Sequence, residues 1–348
     1  MHKIPGAYAL TKKPVKVMQW GLGAMGSGMA DLILKKKGMK LVAAYKKRPE
    51  GQGKDLCKVL NLTKKTGIIV GNDPIKEIRK HKPDVVIMAV CSGVKEGFDD
   101  IMSVIEEKVN LITIAEEMAY PWAYDEKLAA KLDKAALKNG VTVLGTGINP
   151  GFVLDSLVIM LSGACRRVDS IEASRINDLS PFGPTVMKSQ GVGTTKKEFD
   201  SGIKDGSIVG HIGFPASICM IADAMGIELD EIKESREPIM SKTERKTKYV
   251  HVKPGMVAGC KHIGYGIRKG KKVITLIHPQ QVLPEKEGIK TGDYIKINGD
   301  PNVNVANSPE YPGGIGTMAV TVNCIPFIGN ARKGLISMLD MPVLRIAK

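Results

Sequence analysis

The chain has few aromatic residues, 5% of 348, and its six cysteines are scattered with no C-x-x-C pair and no histidine at metal-ligand spacing. The first shortage leaves little material for base-stacking platforms. The second excludes a zinc ribbon, and Cys57, Cys91, Cys165, Cys219, Cys260 and Cys324 read as buried thiols in a reducing compartment, with no metal site. Apolar runs are short too: none approaches the ~20 residues of a membrane span. The opening segment MHKIPGAYALTKKPVKV lacks the apolar stretch of a secretory signal, so a cytoplasmic location is expected. Acidic residues are in deficit, leaving a formal charge of +15, but the excess is spread along the chain. Residues 1–150 carry 25 Lys and Arg against 16 Asp and Glu, and the remainder 26 against 20. That distribution predicts neither a nucleic-acid-binding tail nor a membrane patch. It suits a lysine-rich surface or a site for an anionic cofactor. With 43% hydrophobic and 25% charged residues, the chain has the composition of a globular protein, long enough for two domains of roughly 150 residues each.

The first half alternates short apolar runs with helical patterns, the signature of a parallel sheet with helices on its faces. Strands are expected at 15–20, 41–45, 67–70, 84–90, 111–115 and 141–147, with helices at 25–36, 74–81, 95–108 and 124–139. Six strands match a dinucleotide-binding sheet. Beyond Asn149 the rhythm changes. After a helix at 153–163, strands at 168–175, 248–252, 257–268, 272–278 and 294–299 predict an antiparallel sheet, with hairpin turns at Lys269-Gly270 and Gly299-Asp300-Pro301. Helices at 196–205 and 214–225 interrupt it, the second closed by Gly226. The fold class is therefore α/β: a doubly wound, Rossmann-type parallel sheet over 1–150, followed by an α+β domain over 151–315. Residues 316–348 form a helix and tail that pack back on the first domain.

GLGAMG follows the first strand directly. Gly21 allows the tight turn, Gly23 lets backbone approach a pyrophosphate, and Gly26 permits close packing, while Ala24 and Met25 open the helix whose N–H groups face the phosphates. At the end of the second strand, where NAD-selective sites carry an acid, the chain reads Lys46-Lys47-Arg48. A carboxylate would repel a 2′-phosphate, whereas this basic segment attracts one, so NADP is favoured over NAD. Cys91-Ser92 follows the fourth strand, where a nicotinamide ribose would lie. Cys91 has no histidine nearby in sequence to activate it, so a nucleophilic role is not expected.

After the fifth strand comes Glu116-Glu117-Met118-Ala119-Tyr120-Pro121-Trp122. Carboxylates at the mouth of a cofactor crevice would serve a cationic substrate or take a proton. Neighbouring residues do not both face one site, so at most one of the pair is catalytic, and spacing does not say which; the alternative is an acidic first turn for the following helix. GTGINPGF, 145–152, shapes a turn at the domain junction and places Asn149 as a polar group beside cofactor and chemistry. Tyr120, His211 in GHIGFP, and Arg175 are candidates for holding substrate, with Lys188 a weaker one.

GLGAMG, ITIAEEMAYPW, GTGINPGF, GHIGFP and TVNCIPFIGNARKGLISMLDMP together resemble the 2,4-diaminopentanoate dehydrogenase family and its amine dehydrogenase relatives. The first domain resembles dihydrodipicolinate reductase more distantly. The resemblance spans nearly the whole chain. It implies reversible oxidative deamination of 2,4-diaminopentanoate to 2-amino-4-oxopentanoate and ammonia, in fermentative ornithine breakdown, by a homodimer. It also implies that one of Glu116 and Glu117 binds the amine and that both NAD and NADP serve. The alternative function is an NAD(P)H-dependent reductase of a cyclic imine, like dihydrodipicolinate reductase, but no clustered His-His-Lys segment supports it.

Overall fold

VKVMQW, mostly apolar with β-branched Val15 and Val17 and bounded by Pro14 and Gly21, forms β1 (Val15–Trp20) in the computed structural model, which describes residues 13–347. The opening segment, expected to carry no secretory signal, lies largely outside the described residues. In chain order there follow α1 (Ala24–Leu34), β2 (Met39–Tyr45), α2 (Leu56–Leu60), β3 (Val70–Gly71), α3 (Pro74–His81), β4 (Val85–Met88), α4 (Val94–Glu106), β5 (Asn110–Thr113), two short 3₁₀ turns (Glu116–Ala119 and Pro121–Ala123), α5 (Glu126–Asn139) and β6 (Thr142–Gly145). Then come α6 (Ser156–Ser162), β7 (Arg167–Asp178), α7 (Pro184–Ser189), α8 (Lys196–Asp205), α9 (Phe214–Ala224), β8 (Glu231–Met240), β9 (Arg245–Lys246), β10 (His251–Val252), β11 (Val257–Arg268), β12 (Lys271–Gln281), β13 (Gly292–Asp300) and β14 (Val303–Asn307). The chain ends with α10 (Gly313–Ile328) and β15 (Gly334–Ile336).

These elements divide into two compact units, one ending at Phe152 and resuming at Gly313, the other Val153–Pro312. In the first unit seven parallel strands run in the order β15-β6-β5-β4-β1-β2-β3. The order reverses at β1, which places the β1–α1 turn at the crossover where such sheets bind ligands. Helix ends follow local chemistry. Asp73 accepts from the N–H groups of Ile75 and Lys76 ahead of Pro74, and α5 runs from an Asp125 cap to Gly140 at φ +68°. α10 returns to this unit and packs on α1, where a Cβ at Gly28 would lie 2.0 Å from Met318 Sδ. β15 was not foreseen; three residues carry no periodicity to read.

The second unit holds a six-stranded sheet in the order β14-β13-β7-β12-β11-β8 and a two-stranded ribbon, β10-β9. The sheet is mixed, not purely antiparallel as the sequence suggested, because β12 pairs with β7 in parallel while its other pairs are antiparallel. α9 covers one face, with Phe214 and Ile218 pressed against Gly264 and Gly266 of β11.

Candidate active site

Gly21 adopts φ +95°, and a Cβ there would fall 2.4 Å from the carbonyl oxygen of Ala89. The turn therefore requires glycine. Its N–H donates to Tyr45 O (2.9 Å), tying it to the end of β2. At Gly26 a Cβ would sit 2.0 Å from the Gly21 carbonyl oxygen, so this glycine admits α1 against the loop. Gly23 is the opposite case. Nothing lies within 4 Å of its Cβ position, and no side chain caps α1 here. An open glycine backbone leading into an uncapped helix N-terminus fits a pyrophosphate, with the N–H groups of Ala24, Met25 and Gly26 as its donors. Gly26→Ala is expected to force the loop open and weaken NADPH binding by about tenfold or more with the fold retained, measured by fluorescence titration.

Glu116 and Glu117, equivalent in sequence, are separated by their surroundings. Glu117 Oε2 accepts the N–H of Val94 (2.8 Å) and its own N–H donates to Ser92 O (3.1 Å), so it fastens the N-terminus of α4. α4 has Gly93 at its N-cap, which has no side chain to do this work. Glu116 is half-buried, and burial holds its carboxyl above the usual carboxylate range against an opposing hydrogen bond with Ser92. The charges of Glu117 and Glu96 push the same way as burial. The 3₁₀ turn that carries the pair is seated by Gly145, whose Cβ would lie 2.1 Å from the backbone of Met118. Tyr120 is half-buried beside Trp122, ring centroids 5.1 Å apart.

GTGINPGF is held as tightly as the first loop. Gly151 has φ +122°, with a Cβ position 2.5 Å from the Gly147 nitrogen, and the Ile148 N–H donates to Thr317 Oγ1 of α10 (3.3 Å). Asn149, half-buried, precedes a cis Pro150. Cys91 packs against Gly97, and burial pushes its thiol up to about 12, which keeps it from ionising near neutrality. Lys46 is half-buried, whereas Lys47 and Arg48 are exposed.

In the second unit a row of charged and imidazole side chains crosses five strands. Register places Asp293 beside Arg175, His278 beside His262, and His262 beside Arg236, while the β12–β7 pairing of Ile277 with Ser174 sets His278 next to Arg175. The Arg175 side chain is 2% exposed; its Nη1 donates to Asp293 Oδ1 (2.5 Å) and its Nη2 to the Tyr311 carbonyl. Arg175 is thus committed to a buried ion pair, which corrects the expectation that it holds a substrate carboxylate. His211 donates its backbone N–H to His262 Nδ1 (3.0 Å), and its ring meets those of His278 and Phe214 edge-on. Burial pushes its imidazole down to about 3, reinforced by His262, Arg175 and Arg236. The ring is therefore uncharged near neutral pH. Asn177, Glu234, Arg236, His262 and His278 were missed in the sequence, although the two histidines lie on expected strands at inward positions. Among the described residues no group of three or more His, Cys, Asp or Glu side chains is arranged to hold a metal, and no helix is long and apolar enough to cross a membrane.

A parallel sheet of this order, with a glycine turn at its crossover and a half-buried carboxyl after β5, defines a Rossmann-type, nicotinamide-dependent oxidoreductase. Residues 152–347 match the model of the 2,4-diaminopentanoate dehydrogenase C-terminal domain. The chain is 48% identical to a 2,4-diaminopentanoate dehydrogenase from Acetoanaerobium sticklandii, covering 95% of this chain and 94% of that one. An amine dehydrogenase of Streptomyces virginiae is 23% identical, with 94% and 96% covered. The structure of an amine dehydrogenase from Mycobacterium smegmatis superposes with a TM-score of 0.84 at 26% identity, covering 97% and 98%. The chain belongs to the 2,4-diaminopentanoate dehydrogenase family, and it is an oxidoreductase that deaminates by oxidation.

Proposed function

We propose that the protein oxidises 2,4-diaminopentanoate to 2-amino-4-oxopentanoate, reversibly, with NADP preferred over NAD. The substrate ammonium, water and the oxidised nucleotide give the ketone, ammonium, the reduced nucleotide and one proton. The observation that carries the reading is the half-buried Glu116 carboxyl with its affinity for protons raised, in the same unit as a glycine loop whose open backbone fits a dinucleotide. When bound, the nicotinamide supplies hydride acceptance. Glu116 first takes a proton from the substrate ammonium, because only the neutral amine can release hydride from its carbon. Once the iminium has formed and Glu116 has released that first proton to solvent, the carboxylate takes a proton from the water that attacks the iminium and passes it to the departing nitrogen. Ser92 holds Glu116 for both steps, and Asn149, with Cys91 and Ser92, borders the nicotinamide. Tyr120 and neutral His211 contact the substrate. The basic residue that opens the segment after β2, Lys46, supports NADP.

The protein is taken as a cytoplasmic homodimer of ornithine breakdown. The sheet face opposite α9 carries half-buried Tyr265, Ile277, Ile176 and Tyr294, and this face suits a second copy. Initial rates of nucleotide reduction with 2,4-diaminopentanoate, compared between NADP and NAD and against simple monoamines, test the reading. Reduction with ammonia release is expected, fastest with the diamino acid. Measurable NADPH binding with no turnover of any amine would overturn it.

A further inference from the structure

The three consecutive basic residues after β2 do not point their charge the same way. Lys46 lines a cavity of about 330 Å³ with Glu50, Gly51, Lys54, Lys58 and Val59, whereas Lys47 and Arg48 stand exposed outside it. Lys47 contributes its charge to Asp100 instead, opposing the burial that raises that carboxyl. The cavity sits where a ribose would be read. Lys46 follows Tyr45, whose carbonyl accepts the N–H of Gly21 in the glycine loop (2.9 Å). Three lysines face one carboxylate, Glu50, and none of the three makes an ion pair among the described residues. Asp55, between Lys54 and Lys58, does not neutralise them. Its carboxylate is spent on the N–H groups of Cys57, Thr66 and Gly67 and on the Thr66 hydroxyl, at 2.8 to 3.1 Å. That anchoring also fixes the loop from which Lys54 projects. An uncompensated cationic pocket one residue from the dinucleotide loop has the chemistry of a phosphate monoester site.

We propose that Lys46, Lys54 and Lys58 form the pocket for the adenosine 2′-phosphate of NADP, and that Lys47 and Arg48 are not part of it. This rests on the reading that NADP is the preferred nucleotide, and it moves two of the three expected contacts to residues on and just before α2.

The test is calorimetric titration of the full-length protein with 2′,5′-ADP and with 5′-AMP, which differ only in that phosphate. The wild type is expected to bind 2′,5′-ADP about tenfold or more tightly than 5′-AMP. Lys54→Ala combined with Lys58→Ala should abolish that difference and leave 5′-AMP binding within about twofold, and Lys47→Ala with Arg48→Ala should keep it. Both lysine positions are exposed, so circular dichroism should show intact folds. If the Lys54/Lys58 variant keeps the difference and the Lys47/Arg48 variant loses it, the inference falls while the NADP reading stands. If the wild type itself binds the two ligands equally, the NADP reading falls and takes the pocket with it.

Discussion

Glu116→Gln is expected to lower kcat by about 10²- to 10⁴-fold, leave NADPH affinity unchanged, and raise Tm at neutral pH. The three effects share one cause. The carboxyl lies where burial disfavours its charge, and this lifts its proton affinity toward the range in which a general base is useful. A group whose pKa is higher folded than unfolded contributes its stability fully below the unfolded value and loses it as pH rises through the folded one. Near neutrality the protein therefore carries Glu116 at a cost, and a neutral amide relieves it. The acid limb of the kcat profile should accordingly lie above the ordinary glutamate value. Glu117 answers differently. Glutamine at that position keeps an oxygen for the Val94 N–H and should be mild, while Glu117→Ala should cost about 1 kcal/mol by uncapping α4. If Glu117→Gln, and not Glu116→Gln, abolished turnover at unchanged Tm, the roles given to the pair would be reversed.

The separation of those two glutamates shows where sequence reading stops. The motif and its place after β5 were both visible in the chain. What chose between neighbours was the amide of Val94, 23 residues away in sequence and brought close because β4 and β5 lie side by side. Elements whose signals are local were read accurately. β1 is an apolar run between a proline and a glycine, α3 starts at an Asp-Pro cap, and α8 starts at a Thr195–Glu198 capping box and ends at Gly206. β8 was not read, because EIKESREPIM is half charged. It lies at a sheet edge, paired only with β11, and charge there discourages further pairing. Missing β8 hid Glu234 and Arg236, and with them the far end of the row that crosses the sheet. The parallel β7–β12 pairing could not be seen either, since nothing in either strand's alternation specifies the direction of its neighbour.

That row sets the second large effect. Arg175→Met should destabilise the protein by about 3–5 kcal/mol, seen as a fall in Tm of roughly 10 °C, because it strands a buried carboxylate. Asp293 is 3% exposed, and after the substitution it keeps the N–H of Tyr311 (2.9 Å) as a donor but has no cation among the described residues to balance its charge. The damage should spread along the register. Arg175 is among the charges that hold the imidazoles of His211 and His278 down, so both should titrate at higher pH in the variant, as two-dimensional NMR of the ring protons would record. Adding Asp293→Leu should restore much of the stability, since a well-packed apolar pair replaces an ion pair at little cost, whereas a single loss leaves one charge alone. A substrate-binding Arg175 would behave in the opposite manner: KM for the diamino acid would rise, Tm would hold, and the second substitution would rescue nothing. The 2.5 Å ion pair and the Tyr311 carbonyl leave the guanidinium engaged inside its own sheet, which is why the stability loss is the expected result.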